Sequence, residues 1–164
     1  MAVVPVPAEV MAQRKVIGDA GEELSLSFER TRLIKEGFPS LAEQVWWVAR
    51  ESPAYGFDVA SFGGKTFGKK EPEEPLAIEV KSVGYPVRER FPFHLSVHEW
   101  KAAAELGTRH IFHLWNSVRP GPIPTAGSVS PQVVRGSELL SHLPGPTSCG
   151  RGCQWESVYV ELPI

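Results

Sequence analysis

From about Val10 to Glu36 the apolar residues Ile17, Ala20, Leu24 and Phe28, joined less regularly by Leu33 and Ile34, recur at helical spacing, and Gly37 follows as a stop signal. The pattern predicts one amphipathic helix. Ahead of it, residues 1–10, with Pro5 and Pro7, read as an extended arm. β-branched and aromatic residues then take over: Gln44 to Arg50, between Pro39 and Pro53, and Phe57 to Phe62, entered through Gly56 and ended by Gly63 and Gly64, read as two strands. Residues 63–75 show no periodicity and predict an exposed hairpin-type connection. In a third strand, Leu76 to Val83, alternation turns Leu76, Ile78 and Val80 one way and Glu79 and Lys81 the other. One face of that strand is expected in the core and the other is charged.

Further on, Phe93 to Leu95 predicts a short extended piece. Ser96 and Glu99 have the spacing of a capping box, opening a helix that Trp100 to Leu106 continues and Gly107 stops. Arg109 to Asn116 reads as a fourth strand. Residues 117–152 are so dense in glycine and proline that irregular structure is expected, and Gln154 to Leu162 alternates well enough to return as a strand at a sheet edge. The order of elements predicts an α/β fold, a mixed β-sheet flanked by helices. A chain of 164 residues has the size of one domain. The core is expected over 11–116, and a Pro/Gly-rich extension over 117–164 whose terminal strand packs back on it.

In the strand before the charged one, Phe57 and Val59 fall on one face and Asp58 on the other. Pairing the two strands with their apolar faces together brings Asp58, Glu79 and Lys81 onto one surface. Two carboxylates and an ammonium gathered at the centre of a sheet are costly to desolvate without compensation. A metal ion supplies it. Mg²⁺, with Mn²⁺ as a substitute, prefers carboxylate oxygens and can bridge to a phosphate, while the neighbouring lysine orients or deprotonates a water. The plain alternative is a weak surface pair on a half-solvated strand. The position of the triplet, after an apolar–aspartate strand and before a capped helix, favours a site.

A net charge of −2 does not announce a nucleic-acid binder. Any basic surface must be local, and the candidates are Lys65, Lys69, Lys70, Arg88 and Arg90, on the segments flanking the central strand, with Ser82 beside Lys81. No apolar run approaches a membrane span and no secretory leader pattern is present, so the expected compartment is the cytoplasm, with no membrane partner. Cys149 and Cys153 are too few for a disulfide framework, and even with His142 they make an irregular, incomplete zinc set. Trp46, Trp47 and Trp115 lie in predicted strands and read as core rather than as platforms for bases.

Four ordered segments carry a resemblance: Gly18 to Glu23 on the first helix, Gly56-Phe57-Asp58, Ile78-Glu79-Val80-Lys81-Ser82, and Phe93 to Trp100 with Ser96 and Glu99. Together they resemble the PD-(D/E)XK nucleases, the superfamily of restriction endonucleases and Holliday-junction resolvases. More narrowly they look like a small domain family named for the C-terminal part of the plant protein NO VEIN. The likeness covers roughly Val16 to Trp115, with Phe57 in place of the family's usual tyrosine.

The resemblance implies a restriction-endonuclease-like fold and metal-dependent hydrolysis of phosphodiesters, of duplex DNA before RNA, in a defence or restriction setting. Asp58, Glu79 and the Val80 carbonyl would hold the metal, Lys81 would serve the water, and Glu22 would complete the site, with Glu23 as the neighbour that could take its place. Glu99 fits a helix cap better than a catalytic role. Whether the chain pairs with itself or with a companion protein stays open. So do a catalytically silent binding module and a toxin-like effector domain.

Overall fold

The computed structural model describes residues 6–125, 128–143, 145 and 155–164. Helix α1 spans Ala8–Glu36, so the last three residues of the expected arm are helical, and its first five lie outside the described residues. Pro7 precedes the first turn, where a missing N–H costs nothing. At the other end Gly37 takes φ 94°, and the N–H groups of Gly37 and Phe38 close on Ile34 and Leu33. The row of α1 that sinks deepest is Gly21, Ser25, Glu29 and Leu33. Ile17, Ala20, Leu24 and Phe28 flank that row, half buried, so the face predicted from apolar residues is turned from the one the sheet receives.

Helix α2 (Pro39–Glu43) leads into β1, which is only Trp46–Trp47. The expected strand to Arg50 stops there because the chain turns into a 3₁₀ segment, Val48–Arg50, with the Glu51 and Ser52 N–H groups closing on the Val48 carbonyl. β2 is Val59–Phe62. The connection after it is not irregular throughout: α3 (Gly64–Phe67) forms within it, and Gly63 and Gly64 are tied to the carbonyls of Glu74 and Pro72. β3 (Pro75–Ser82), β4 (Arg90–Ser96), α4 (Val97–Leu106) and β5 (His110–Trp115) follow, β4 being longer than expected.

The Pro/Gly-rich stretch also holds regular structure, β6 (Gln132–Arg135) and α5 (Gly136–Ser141), where irregular chain was expected. Val133 and Val134 of β6 each pack against one of the two cores, which explains why a short strand survives in that composition. β7 is Ser157–Pro163. Cys149 and Cys153 lie outside the described residues.

The fold is mixed α/β. Five strands form one sheet in the order β1-β2-β3-β5-β6, with β3 antiparallel to β2 and parallel to β5. β4 and β7 pair antiparallel as a separate two-stranded sheet. One core lies against α1 and takes Val59, Ile78, Val80, Ile111 and Trp115; the other takes Phe91, Phe93, Leu95, Phe112, Leu114, Leu139 and Val160. β3 is therefore buried on both faces. The charged face of the central strand is roofed by the β4–β7 pair with α4 and α5.

Among the described residues, no helix is long and apolar enough to cross a membrane.

Candidate active site

The register of β2 and β3 sets Val59 opposite Ile78, and the Asp58 N–H carries the pairing one step further by donating to the Ile78 carbonyl at 2.9 Å. Beyond Asp58 the strands part. The Val80 N–H points the same way as the Ile78 carbonyl and has no strand left to meet, so the Asp58 carboxylate accepts it at 2.7 Å. Asp58 and Glu79 thus share a face at the point where the sheet opens, as alternation predicts. Glu79 is 3% exposed, its Oε1 lies 2.8 Å from Lys81 Nζ, and its Oε2 is buried with no hydrogen-bond partner among the described residues. Lys81 Nζ also meets Glu99 Oε2 at 2.9 Å.

What sequence reasoning missed about Glu99 is its contact with Lys81. Its expected cap is present, with the Ser96 hydroxyl accepting from the Glu99 N–H and the Glu99 carboxylate accepting from the Ser96 N–H. The same carboxylate is the second partner of Lys81. The capping spacing was visible, but no local pattern says that β4 returns α4's first turn under β3.

Burial pushes the Asp58 carboxyl up to about 7, the charge of Glu22 adds to that, and the Val80 N–H and Lys81 oppose it. Burial raises Glu79 well above the usual carboxylate range, against the pull of Lys81. Burial alone would lower Lys81; Glu79 and Glu99 together override it and hold the ammonium more firmly charged. Glu99, also partly buried, is brought below its ordinary value by Lys81 and the Ser96 N–H. Lys81 is held charged between Glu79 and Glu99, and burial makes Asp58 and Glu79 the two carboxyls of the site that are hardest to ionise.

Glu22 reaches the site because α1 crosses β3 closely at Gly21. A Cβ there would stand 1.7 Å from Ser82 Oγ, so only glycine permits the approach. Glu22 then accepts from the Trp47 indole N–H, burial raises its carboxyl, and its charge is felt at Asp58. Glu22, not Glu23, is the glutamate turned this way. Trp47 itself carries the Arg50 guanidinium 3.7 Å from its ring centre. Trp115 is core as expected, whereas Trp46 is 40% exposed.

The predicted basic residues are not gathered at this point. Lys65 sits on α3 with its Nζ 5.8 Å from the centre of the Phe38 ring, Lys69 lines a hollow with Glu74 and Pro75, and Lys70 follows it, exposed. All three lie toward the Pro75 end of β3, and strand geometry puts Lys81 about 20 Å along from Pro75. Arg88 is exposed on the segment between β3 and β4, which the Asn116 side chain braces by bonding both backbone groups of Val87, and Arg90, also exposed, is the first residue of β4. Ser82 lies under Gly21, on the α1 face, with its hydroxyl buried and unpartnered. Beside Lys81 and Ser82 opens a groove of about 750 Å³ between the first half of α1 and the β4–β7 pair.

A second polar cluster lies on the α1 face. Glu29 accepts from Arg32 at 2.7 and 3.1 Å and from the Ser61 hydroxyl at 2.6 Å, and Arg32 goes on to the carbonyls of Phe62 and Gly63. Ser25 and His113 adjoin it, with Ser25 Oγ accepting from the Trp115 indole at 2.7 Å and 3.2 Å from His113 Nδ1. Serine, histidine and glutamate are the residue types of a nucleophilic triad. These three are all fully buried and the glutamate is already taken by arginine and serine, so the cluster is structural.

Among the described residues, no three His, Cys, Asp or Glu side chains stand together as a ready-made metal cage. No curated protein and no solved structure gives a significant match to the chain. A family model described as "Protein NO VEIN, C-terminal" matches residues 21–124, which takes in Glu22, Asp58, Glu79, Lys81 and Glu99 and reaches into the Pro/Gly-rich stretch. With more than half its length matched, this chain belongs to the NO VEIN C-terminal family.

Proposed function

We propose that the chain is a metal-dependent nuclease of the PD-(D/E)XK kind that hydrolyses phosphodiester bonds. The observation that carries the reading is Glu79: a carboxylate almost wholly buried, one oxygen on Lys81 and the other on nothing, beside an Asp58 on the same face. A buried carboxyl that burial makes hard to ionise, with one oxygen unmatched, gains from a cation that favours its charged form. The residues present fit a divalent ion. Mg²⁺ is commonly held by one or two carboxylates and keeps several waters, so the lack of a three-residue cage is no obstacle. Asp58, Glu79 and the Val80 carbonyl would hold it, with Glu22 near enough to bear on Asp58.

When bound, the ion would supply positive charge against the phosphate and acidify a water. The protein's own part is positional. Lys81, held charged by two carboxylates, can donate hydrogen bonds to an attacking water or a phosphate oxygen, and is set to orient rather than to accept a proton. Glu99 fixes where the ammonium points. Asp58, tied to the Val80 N–H, fixes the edge where β2 and β3 separate.

The full occupation of Lys81 by Glu79 and Glu99 favours one other reading, a structural ion cluster in a binding module without activity. A single assay separates them: purified protein incubated with Mg²⁺ or Mn²⁺ and duplex DNA, single-stranded DNA or RNA, with Glu79→Ala as the control for contaminating nuclease. Cleavage by the wild type alone is the expected result; no cleavage of any substrate in either metal sinks the nuclease.

A further inference from the structure

The groove beside Lys81 is lined in a way that phosphodiester hydrolysis alone does not require. One wall is the first half of α1 with Arg14; the other is the face of the β4–β7 pair, where His94 and Tyr159 stand opposite each other with ring centres 5.3 Å apart. Tyr85, on the segment leaving β3, forms the rim. Tyr85 and Tyr159 are 58% and 56% exposed, so both rings are available to a ligand. The floor ends on Lys81 and Ser82, which makes the groove continuous with the carboxylate site.

We propose that this groove takes an unpaired nucleic-acid strand, with bases stacked on Tyr85 and on the Tyr159–His94 pair and phosphates led past Arg14 toward Lys81. The class of ligand rests on the nuclease reading; the strandedness rests on the groove. A duplex keeps its base faces stacked inside and presents phosphates and base edges, so exposed aromatic faces gain nothing from it. An unpaired strand presents one ring face per nucleotide, and an aromatic groove with cations along it is how such strands are held. The volume is compatible with this, for about 750 Å³ is in the range of pockets that enclose small ligands and so can take individual bases. Glu161, on the same strand, meets the Tyr159 hydroxyl at 3.5 Å, at the polar end of the ring. A duplex substrate must then offer a frayed end, a flap or a gap.

Fluorescence anisotropy in EDTA, where no turnover can occur, tests this with a labelled oligothymidine and a labelled blunt hairpin of equal mass. The wild type should hold the oligothymidine more tightly than the hairpin. Tyr85→Ala with Tyr159→Ala should weaken the single strand by about tenfold or more, with hairpin binding and melting temperature unchanged, while Tyr85→Phe with Tyr159→Phe, which keeps both rings, should bind like the wild type. Equal or tighter binding of the hairpin overturns the proposal, as does a wild type that does not hold oligothymidine or an alanine variant that holds it as well as the wild type. Because binding is read without metal, the two readings fail separately. A tyrosine-dependent grip with no cleavage in Mg²⁺ or Mn²⁺ sinks the nuclease and leaves the groove; cleavage without such a grip does the reverse.

Discussion

Glu29 and Glu79 lie on opposite faces of one sheet, each buried and each paired with a cation from its own element, yet they are opposites in chemistry. Both oxygens of Glu29 are engaged, by the Arg32 fork and Ser61, and the arginine spends its remaining donors on the Phe62 and Gly63 carbonyls and on Glu36. Glu79 has one oxygen on Lys81 and the other unmatched, and the lysine is shared with Glu99 on another element. Burial of charge therefore does not mark a site. Unmet capacity beside an opening does: the Glu29 cluster is sealed, and Lys81 lines a groove.

Breaking the satisfied cluster should cost the most stability. Arg32→Ala strands the Glu29 carboxylate in the interior, and a loss of about 3–5 kcal/mol in urea unfolding is expected; a loss under about 1 kcal/mol would put the two clusters on the same footing. Lys81→Ala should instead leave a folded protein by far-UV circular dichroism, still able to bind metal and nucleic acid, with hydrolysis slowed by about 100-fold or more. Cutting at the wild-type rate refutes the role given to the lysine.

A smaller effect, of opposite sign, is expected from Glu79→Gln. A carboxyl whose affinity for protons is raised on folding weighs against the folded state once it must ionise, so the amide should raise stability by about 0.5–2 kcal/mol near neutral pH while activity is lost. Destabilisation by Glu79→Gln would mean that its ion pair with Lys81 outweighs the buried charge.

The finest test is pH-dependent. Between the unfolded value of 3.8 and about 7 in the folded chain, Asp58 keeps a proton that the unfolded chain has released, so its contribution to stability falls as pH rises through that window. His110 and His113, both lowered to about 4 by burial, act in the reverse sense, since acid favours the unfolded chain in which they can charge. A bare pH profile mixes the two. The rise in melting temperature produced by millimolar Mg²⁺ or Mn²⁺ isolates the carboxylates, because the ion competes with their protons. That rise should be a few degrees at about pH 8 and smaller at about pH 6; equal shifts, or none at either pH, count against a metal at Asp58 and Glu79.

What could be read in the chain followed from periodicity. Alternation along Leu76 to Val83 put Glu79 and Lys81 on one face, and the apolar neighbours of Asp58 put it on the same one. The ordered segments gave Glu22, and the reason for the glycine before it needed the structure: α1 must pass within contact of Ser82. Other features depend on the path of the chain between elements. The roof over the charged face comes from β4 pairing with a strand more than sixty positions away in sequence, as Phe93 with Val160 shows. The lysines at 65, 69 and 70 looked adjacent to the site because they adjoin the right strand, but they adjoin its other end. The deep row of α1 was missed because glycine, serine and glutamate carry no apolar signal, although that row meets the sheet.

The double use of Glu99 bears on how the family can decay. Its carboxylate closes the first turn of α4 and also holds Lys81, so on the nuclease reading a lineage that gave up cutting would still need an acceptor at position 99 for the sake of the helix, and glutamine serves that purpose as well as glutamate. An intact residue 99 is therefore poor testimony to an active ancestor or descendant. Glu79 is the reverse, a side chain with no part in a helix cap and with one oxygen that the described residues leave unmatched. On the nuclease reading proposed above, the residue at position 79 should separate relatives that cut from relatives that do not.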